Sequence, residues 1–355
     1  MKTPTNYIVT RDNGKDNHAG TKGRNDVEAI ALSEGYKPIR IREFMGKSGP
    51  RYRLKQLWVV CTDWLPVFFK VQRGSYLVLQ VPLYFSQKYV LVILKLLQRL
   101  RRISVTLLMQ DFDALRGLRD IRKEIKPLRL ADRIICHSDR MKQAMIGLDL
   151  AADKMIPIGL FDYLVSGQGM VPTRTRTNEI IIAGNLEPEK AGFVYKLGAL
   201  NDSQNSDLAF HLYGPNFVST TPQKGVHFKG EFSPDAVFYR MTGSYGLVWD
   251  GESLDSCTGL MGEYLRINNP NKTSLYLAAG LPVIVWSQSS NAEIVKREQV
   301  GIAVDSLAQL PEILAAIGDQ EYKILLTNVS RISEKLRSGY YTREALKAMM
   351  KIRFE

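Results

Sequence analysis

The chain has 355 residues, of which 45% are hydrophobic, and carries a formal net charge of +12 at pH 7. This length predicts two domains, and the composition is that of a globular protein, which excludes a largely disordered chain. The three cysteines, Cys61, Cys136 and Cys257, are odd in number and widely spaced, which argues against a disulfide framework or a zinc cluster.

The positive charge is concentrated in the N-terminal half. Residues 1–165 contain 29 Lys and Arg against 16 Asp and Glu, whereas residues 166–355 contain 19 against 20. A cationic surface suits an anionic lipid, a pyrophosphate-linked acceptor or a nucleic acid, and it is also typical of a face that is only solvated. No nucleic-acid motif accompanies the charge, so nucleic acid is not an expected partner.

The sequence predicts a cytoplasmic protein with, at most, peripheral contact with the inner face of the cell membrane. Residues 2–23 are polar and lack the apolar core of a signal peptide. The longest apolar segment, residues 89–97, contains Lys95 and ends before Arg99, well short of the ~20 residues that span a bilayer.

The N-terminal half alternates apolar strands with helices, as a doubly wound domain does. Residues 7–9 predict the first strand, a loop with glycines follows, and residues 24–33 predict a helix. The helix predicted at 87–102 is apolar nearly all round, which indicates burial, with a membrane-interface position at its basic end as the alternative. Further strands are predicted at residues 57–60, 76–80, 103–109 and 133–137.

A second alternation begins after residues 163–178, whose Gly, Pro, Ser and Thr content predicts an interdomain linker. Predicted strands occupy residues 180–183, 209–213, 226–228, 245–249 and 283–286, and predicted helices occupy residues 190–198, 272–279 and 292–299. Residues 336–354 predict a basic amphipathic helix that closes the chain.

The segment from Asn271 to Trp286 is the most informative one. A helix-compatible run ends at Gly280, a residue that favours a left-handed cap, and Pro282 prevents continuation. Residues 283–286 then form an apolar run typical of a parallel strand covered on both faces. Because ligands lie beyond the carboxyl ends of strands in open α/β sheets, an anionic or polyhydroxyl ligand is expected at the polar stretch 287–293 that follows this strand and at the N-terminus of the next helix.

Four stretches make the chain resemble the GT-B glycosyltransferases: residues 16–22, Gln110-Asp111, Gly184-Asn185 with Lys190 downstream, and residues 271–293. Within that group the likeness is to bacterial galactofuranosyltransferases of surface-polysaccharide assembly and to the glucosyltransferase that extends glycans on streptococcal adhesins. The resemblance implies an α/β fold with two doubly wound, Rossmann-like domains facing across a cleft. The implied parts are an acceptor domain at 1–165, a linker at 166–178, a nucleotide-sugar domain at 179–335 and a helix at 336–355 that returns to the first domain.

The resemblance also implies that cations and helix N-termini neutralise the leaving pyrophosphate, with no obligatory metal or other cofactor. Lys272 and Lys190 are the candidates for that role. Tyr213 would stack on uracil or, alternatively, pack in the core, and Glu293 would hold sugar hydroxyls or merely favour the dipole of its helix. The other expected donor-binding residues are Asn17, Gly20, Thr21, Gly184, Asn185, Asn271 and Thr273.

An inverting transferase needs a general base, for which Asp111, Asp16 and His18 are the candidates. A retaining enzyme needs no such base in the same place, and the two groups of relatives imply different stereochemistries, so both outcomes stay open. Asp111 and Asp113 also mimic the Asp-x-Asp metal motif of another glycosyltransferase fold. The nucleotide-site features lie in the C-terminal half, so no metal site is expected there.

The predicted function is transfer of a hexose, galactofuranose or glucose, from its UDP form to a hydroxyl of a lipid-linked or protein-linked glycan. The setting would be bacterial surface-polysaccharide assembly, such as O-antigen or capsule, or glycoprotein assembly. The alternatives are a non-catalytic GT-B subunit that recognises glycan or stabilises a partner transferase and, third, a sugar-nucleotide epimerase. The expected partners are the UDP-sugar, the glycan acceptor, an anionic membrane surface and a second copy of the chain in a homo-oligomer.

Overall fold

The computed structural model describes residues 5–12, 19–43, 49–83, 87–165, 171–218 and 221–351, with no side-chain description at residues 12, 19 and 20. The described residues form two compact units. The first takes those within 1–16, 24–158 and 342–355, and the second takes those within 17–23 and 159–341. Residues 159–165 and 171–178 belong to the second unit.

The first unit is built on a parallel sheet of six strands in the order β2-β1-β3-β4-β5-β6. The chain therefore starts inside the sheet, adds one neighbour and then proceeds in the other direction, as doubly wound domains do. Every residue of the fourth strand is buried, which explains its uninterrupted apolar sequence. The strands are β1 (Tyr7–Asp12), β2 (Lys37–Arg42), β3 (Tyr76–Val81), β4 (Ser104–Met109), β5 (Arg133–Cys136) and β6 (Met155–Pro157).

Helices connect these strands, and one of them replaces a predicted strand. The helices are α1 (Ala19–Ser33), α2 (Pro50–Val59), α3 (Leu65–Lys70), α4 (Gln87–Arg101), α5 (Ile121–Leu130) and α6 (Asp139–Ile146). The prediction of a strand at residues 57–60 is wrong, because α2, a π-helical turn at Val60–Trp64 and α3 continue into one another. A short apolar run has no period of its own, so it is compatible with either structure.

Helix α4 matches its predicted position but is not buried all round. Val90 and Leu94 are buried, whereas Val92 and Leu100 are 57% and 56% exposed. Its apolar residues thus divide between the core and the surface. Across the described part of the chain, no helix combines the length and the apolarity needed to cross a membrane.

The second unit contains a parallel sheet in the order β12-β11-β10-β7-β8-β9. Counted within the unit, this is the strand order 3-2-1-4-5-6 of a Rossmann fold. The strands are β7 (Glu179–Ala183), β8 (Ala209–Tyr213), β9 (Val226–Gly230), β10 (Tyr245–Val248), β11 (Val283–Trp286) and β12 (Gly301–Val304). The helices are α7 (Pro188–Ala191), α8 (Leu197–Ser203), α9 (Pro234–Arg240), α10 (Gly259–Tyr264), α11 (Asn271–Ala278), α12 (Asn291–Glu298), α13 (Leu310–Ala316) and α14 (Asp319–Ser338).

This second sheet is buried on both faces. Ile180 and Ile182 pack in one hydrophobic cluster, while Ile181 and Ala183 pack in the other. The same alternation recurs in β11, whose four residues are all buried. Continuous apolar sequence in these strands is therefore a direct result of covering both faces of a parallel sheet.

The C-terminal segment is two helices, so the prediction of one helix over residues 336–354 is wrong. Helix α14 ends at Ser338, and Gly339 adopts a left-handed φ of 79° before α15 (Tyr340–Lys351) begins. Residues from Thr342 onward belong to the first unit, where the Thr106 hydroxyl donates to Met349 Sδ at 2.8 Å. The left-handed residue redirects the chain, a role for which glycine carries no Cβ penalty.

Candidate functional site

The candidate site lies at the carboxyl edge of the second sheet, between β7 and β10. From these two neighbouring strands, the chain adds β8 and β9 on one side of the sheet and β11 and β12 on the other. Such a switch point leaves a crevice beyond the strand ends, because the two connections leave toward opposite faces. Ligand-binding residues are therefore expected directly after β7 and β10.

Lys272 is the second residue of α11, and its ammonium reaches the end of β10. Nζ donates to the Trp249 carbonyl at 2.8 Å and to Asp250 Oδ1 at 2.8 Å. Both side chains are largely buried, with 18% exposure for Lys272 and 9% for Asp250. An ammonium has three hydrogens to donate, so these two contacts fix its position and leave one hydrogen for a ligand oxygen.

Two helix N-termini open at the same edge without a side-chain cap. Helix α11 begins after Pro270 and α12 begins after Ser290, and neither N-cap residue accepts a hydrogen bond through its side chain. Uncapped first turns present backbone N–H groups and the positive end of the helix dipole, which favours anions. The edge that holds Lys272 thus has two further sources of positive potential.

A buried amide joins these two helices. Asn291, the first residue of α12, donates through Nδ2 to Thr273 Oγ1 at 2.7 Å. Asn291 is fully buried, and its Oδ1 has no hydrogen-bond partner among the described residues. The bond joins the first turns of α11 and α12 through the side chain of Thr273, one of the predicted donor-binding residues.

The Gly184-Asn185 pair follows β7 in a tight turn. Gly184 adopts a φ of 142°, in a region that favours glycine. Asn185 Oδ1 accepts from the Glu187 N–H at 3.1 Å and from Asn216 Nδ2 at 2.9 Å. The Asn185 side chain therefore shapes the loop that leads to α7.

Lys190 is joined to the β10 end through the backbone. The Gly251 N–H donates to the Lys190 carbonyl at 2.8 Å, and the Phe193 N–H donates to the Gly251 carbonyl at 3.0 Å. Gly251 is the residue after Asp250, so the structure brings the segments of both predicted lysines to one strand end. Asn271, in the first turn of α11, lies beside Lys272 at the same edge.

Tyr213 and Glu293 have different surroundings from each other. Tyr213 is 2% exposed, packs beside Phe232, and receives a hydrogen bond from the Thr242 N–H at 3.1 Å. The Tyr213 ring therefore packs in the core, as in the second of the two alternatives, and not against a nucleotide base. Glu293 is exposed in the first turn of α12, where a carboxylate favours the helix dipole and remains accessible to a ligand hydroxyl.

In the first unit, Asp111 follows β4 and is half-exposed. Arg116 Nη1 lies 3.3 Å from Asp111 Oδ2 and 3.3 Å from Asp113 Oδ1, so one guanidinium joins both carboxylates of the Asp-x-Asp stretch. Glu124, on α5, accepts from the Asp113 N–H at 3.1 Å. Burial is the main cause that raises the pKa of Glu124, and the hydrogen bonds that its carboxylate accepts from the Ala114 and Asp113 N–H groups oppose that rise.

Three of the predicted residues, Asp16, Asn17 and His18, lie outside the described residues. Gly20 and Thr21 fall in the first turn of α1, within the short segment that belongs to the second unit. A search of the described residues finds no group of three or more His, Cys, Asp or Glu side chains placed to hold a metal ion.

Comparison with known proteins gives the family. A model of the N-terminal domain of glucosyltransferase 3-like proteins matches residues 5–160, and a model of their C-terminal domain matches residues 180–349. The chain belongs to the glucosyltransferase 3-like family. The beta-1,6-galactofuranosyltransferase WbbI of Escherichia coli (strain K12) is 33% identical over 262 residues, which are 73% of this chain and 74% of WbbI. Glucosyltransferase 3 of Streptococcus gordonii is 33% identical over 61% of this chain and 60% of its own length. This family member is therefore a glycosyltransferase.

Solved structures give the fold. The lipopolysaccharide outer core galactosyltransferase WaaB has a TM-score of 0.61 at 11% identity and covers 98% of this chain and 99% of its own. An alpha-glucosyltransferase in complex with UDP has a TM-score of 0.57 at 12% identity, over 98% and 99% of the two chains. The predicted fold class, GT-B with two Rossmann-like units, is confirmed.

Two residues of this family member, Asp250 and Asn291, were not predicted as site residues from the sequence. Asp250 directly follows the apolar run that forms β10, so the strand-end rule alone could have selected it. Asn291 lies in the polar stretch after β11 that was predicted to bind ligand. Neither residue type is unusual at a strand or helix end, and only the tertiary structure shows their contacts with Lys272 and Thr273.

Proposed function

We propose that this glycosyltransferase moves a hexose, galactofuranose or glucose, from a UDP-sugar to a hydroxyl of a lipid-linked or protein-linked glycan. The observation that carries the proposal is the Lys272 ammonium at the carboxyl end of β10, held by two acceptors with one hydrogen left to donate. The relatives support the sugar class, since their names give galactofuranosyl and glucosyl transfer. The UDP complex of a structural relative supports the nucleotide.

The reaction breaks the bond between the anomeric carbon and the diphosphate oxygen, and UDP leaves with the electron pair. Lys272 and the uncapped N-termini of α11 and α12 would stabilise the negative charge that develops on the diphosphate. Because these groups are fixed before the donor binds, they need little reorganisation in the transition state. We propose that this positive potential replaces a metal ion, so chelation would leave transfer unchanged.

The acceptor hydroxyl forms the new glycosidic bond and loses its proton. In an inverting reaction, the predicted base is Asp111, with Asp16 and His18 as the other candidates. The ion pair with Arg116, at 3.3 Å, holds the Asp111 carboxylate in position after β4. The anomer of the product, read by NMR, separates an inverting from a retaining reaction.

Isothermal titration with UDP and a panel of UDP-hexoses tests the donor, and product analysis with an undecaprenyl-linked glycan tests the acceptor. We expect UDP to bind, one UDP-hexose to be transferred, and EDTA to leave the rate unchanged.

Absence of UDP binding to the wild-type protein would contradict the donor assignment. Binding of UDP without transfer to any lipid-linked or protein-linked glycan would favour the non-catalytic alternative. Loss of transfer in EDTA that added Mg²⁺ restores would contradict metal independence while leaving the donor class intact.

A further inference from the structure

The helical stretch from Pro50 to Lys70 exposes a stripe of large apolar side chains. Leu54, Trp58, Leu65 and Phe69 are 73%, 47%, 47% and 77% exposed. Leu54 and Trp58 are four residues apart on α2, and Leu65 and Phe69 are four residues apart on α3, with the π-helical turn at Val60–Trp64 between the pairs. Each pair therefore lies on one side of its helix. Buried Val59, Trp64 and Val67 fix the opposite side in the core.

Helix α4 exposes a second stripe of mixed character. Val92, Leu96 and Leu100 are 57%, 44% and 56% exposed, and Lys95 and Arg99 are exposed between them. All of these residues fall at spacings of three, four or one on the helix surface. Helix α4 contains no Asp or Glu.

The two stripes lie on neighbouring elements of the first unit. Helix α4 contacts both α3 and the π-helical turn, and the Arg101 guanidinium lies 5.2 Å from the centre of the Phe68 ring. We call their exposed side the basic-apolar face. Its apolar residues include Leu54, Trp58, Leu65, Phe69, Leu96 and Leu100.

Exposed cations are interspersed with these apolar residues along residues 50–70 and 87–101, and these two stretches contain no exposed acid. Arg51, Arg53, Lys55 and Lys70 are exposed on the first stretch, in addition to Lys95 and Arg99 on α4. The one acidic residue of residues 50–70 and 87–101 is Asp63, which is bonded to Arg42. Leu, Phe and Trp flanked by Lys and Arg, without acids, are typical of helices that lie in a membrane interface.

We propose that the basic-apolar face docks on an anionic lipid bilayer. Its cations would lie at the level of the lipid phosphates, and Phe69, Leu65 and their apolar neighbours would enter the boundary between headgroups and acyl chains. An exposed apolar surface of this extent on two adjacent helices calls for a partner. The proposal concerns the first unit alone and does not depend on the identity of the sugar donor.

The charge of the face favours a lipid surface over a second copy of the chain. A two-fold contact places the same patch on both subunits, so the cations of one copy would meet those of the other. The single acid, Asp63, is already engaged by Arg42 within the chain, and repulsion between like charges would oppose the contact. Anionic headgroups instead complement every exposed charge of the face.

Co-sedimentation with vesicles tests the proposal in the full-length protein. We compare vesicles of phosphatidylcholine alone with vesicles of phosphatidylcholine and phosphatidylglycerol. The apolar variant is Leu65→Gln with Phe69→Ser, and the charge variant is Lys95→Glu with Arg99→Glu. The matched control is Lys323→Glu with Ile324→Ser, an exposed cation and an exposed apolar residue on α14. Because all the substituted side chains are exposed, circular dichroism and thermal unfolding should show unchanged folding.

We expect the wild type and the control to bind the anionic vesicles, with much weaker binding to phosphatidylcholine. Each face variant should reduce partitioning at least ~10-fold, the charge variant by losing headgroup attraction and the apolar variant by losing buried area. Added salt should weaken binding of the wild type, because it screens the electrostatic part.

Three results would overturn the proposal. The first is wild-type binding to anionic vesicles that both face variants retain, and the second is no wild-type binding at all. The third is a wild-type dimer in sedimentation velocity that the face variants dissociate, since that result would assign the face to a second copy of the chain.

Discussion

Lys272 Nζ lies 2.8 Å from Asp250 Oδ1, which makes the predicted phosphate-binding cation one half of a largely buried ion pair. The pair joins the second residue of α11 to the residue that follows Trp249 at the end of β10. Removing one partner of such a pair leaves the other charge without compensation. The two residues should therefore be tested separately, because they make different contributions to donor binding.

Lys272→Met should lower kcat/KM by about 10²-fold or more, since it removes a fixed cation at the place where charge develops on the leaving group. Steady-state kinetics with the transferred UDP-hexose measure the effect. Lys323→Met is the control and should leave kcat/KM unchanged. An unaltered kcat/KM in Lys272→Met would show that Lys272 does not stabilise the leaving group.

Asp250→Asn and Asp250→Ala separate the charge of Asp250 from its positioning role. The asparagine keeps an oxygen that accepts from Lys272 Nζ, so UDP affinity should stay within about threefold of wild type. The alanine removes that acceptor, and loss of one hydrogen bond to a charged group should weaken UDP binding about tenfold or more. Titration calorimetry measures both, and equal affinities in the two variants would contradict a positioning role.

Sequence reasoning located one member of this pair and missed the other for a physical reason. Lys272 follows a helix stop and precedes a buried strand, and both features are local. Asp250 follows the apolar run of β10, a position that the strand-end rule selects, but its contact with Lys272 is visible only in the tertiary structure. The prediction of a strand at residues 57–60 was wrong for a similar reason. The run is apolar enough for a strand, yet Leu57 and Trp58 are 45% and 47% exposed on a helix. The continuous apolar strands of both sheets were the most predictable parts, because burial on both faces favours an apolar residue at every position of the strand.

Gly214→Ala should destabilise the second unit by about 3 kcal/mol, from a strained backbone and a steric overlap. Gly214 has a φ of 142°, and a Cβ at this position would collide with the Gly184 carbonyl oxygen. Gly259→Ala is the control, because Gly259 also has a positive φ, 72°, but has open space around it. Its cost should be about 1 kcal/mol from the left-handed conformation alone. Urea unfolding measures both, and equal costs would show that the close approach to Gly184 is relieved by small shifts.

Arg174→Met should cost about 3 kcal/mol of the free energy of unfolding, because it leaves buried carbonyls without donors. Arg174 is 8% exposed and donates to the Ala279 carbonyl, through Nε at 3.2 Å and Nη2 at 3.0 Å, and to the Met241 carbonyl at 2.7 Å. This segment was predicted to be a linker from its Gly, Pro, Ser and Thr content, and that content does not distinguish a buried arginine from a solvated one. Arg176→Met is the control: its bond to exposed Asp319 should contribute less than about 1 kcal/mol. A loss in Arg174→Met no larger than in Arg176→Met would refute the buried anchor.

His137 should make the stability of the protein depend on pH. Burial at the end of β5 lowers the pKa of His137 to about 4 from an ordinary value of 6.5, and backbone hydrogen bonds with Gln110 and Met109 oppose that shift. Between these two values the unfolded chain binds a proton that the folded chain does not, so the free energy of unfolding falls as pH drops through this window. The full change amounts to about 3 kcal/mol, and below the folded-state pKa it is complete.

Chemical unfolding at a series of pH values measures this effect as a difference between the wild type and His137→Asn, so the contributions of other groups cancel. The asparagine has no titration in the window, and its stability should fall by about 3 kcal/mol less than that of the wild type on acidification. His227→Asn, at an exposed histidine, is the control and should follow the wild type closely. Parallel pH profiles for the wild type and His137→Asn would mean that His137 is protonated alike in the folded and unfolded chains, which is incompatible with a fully buried imidazole.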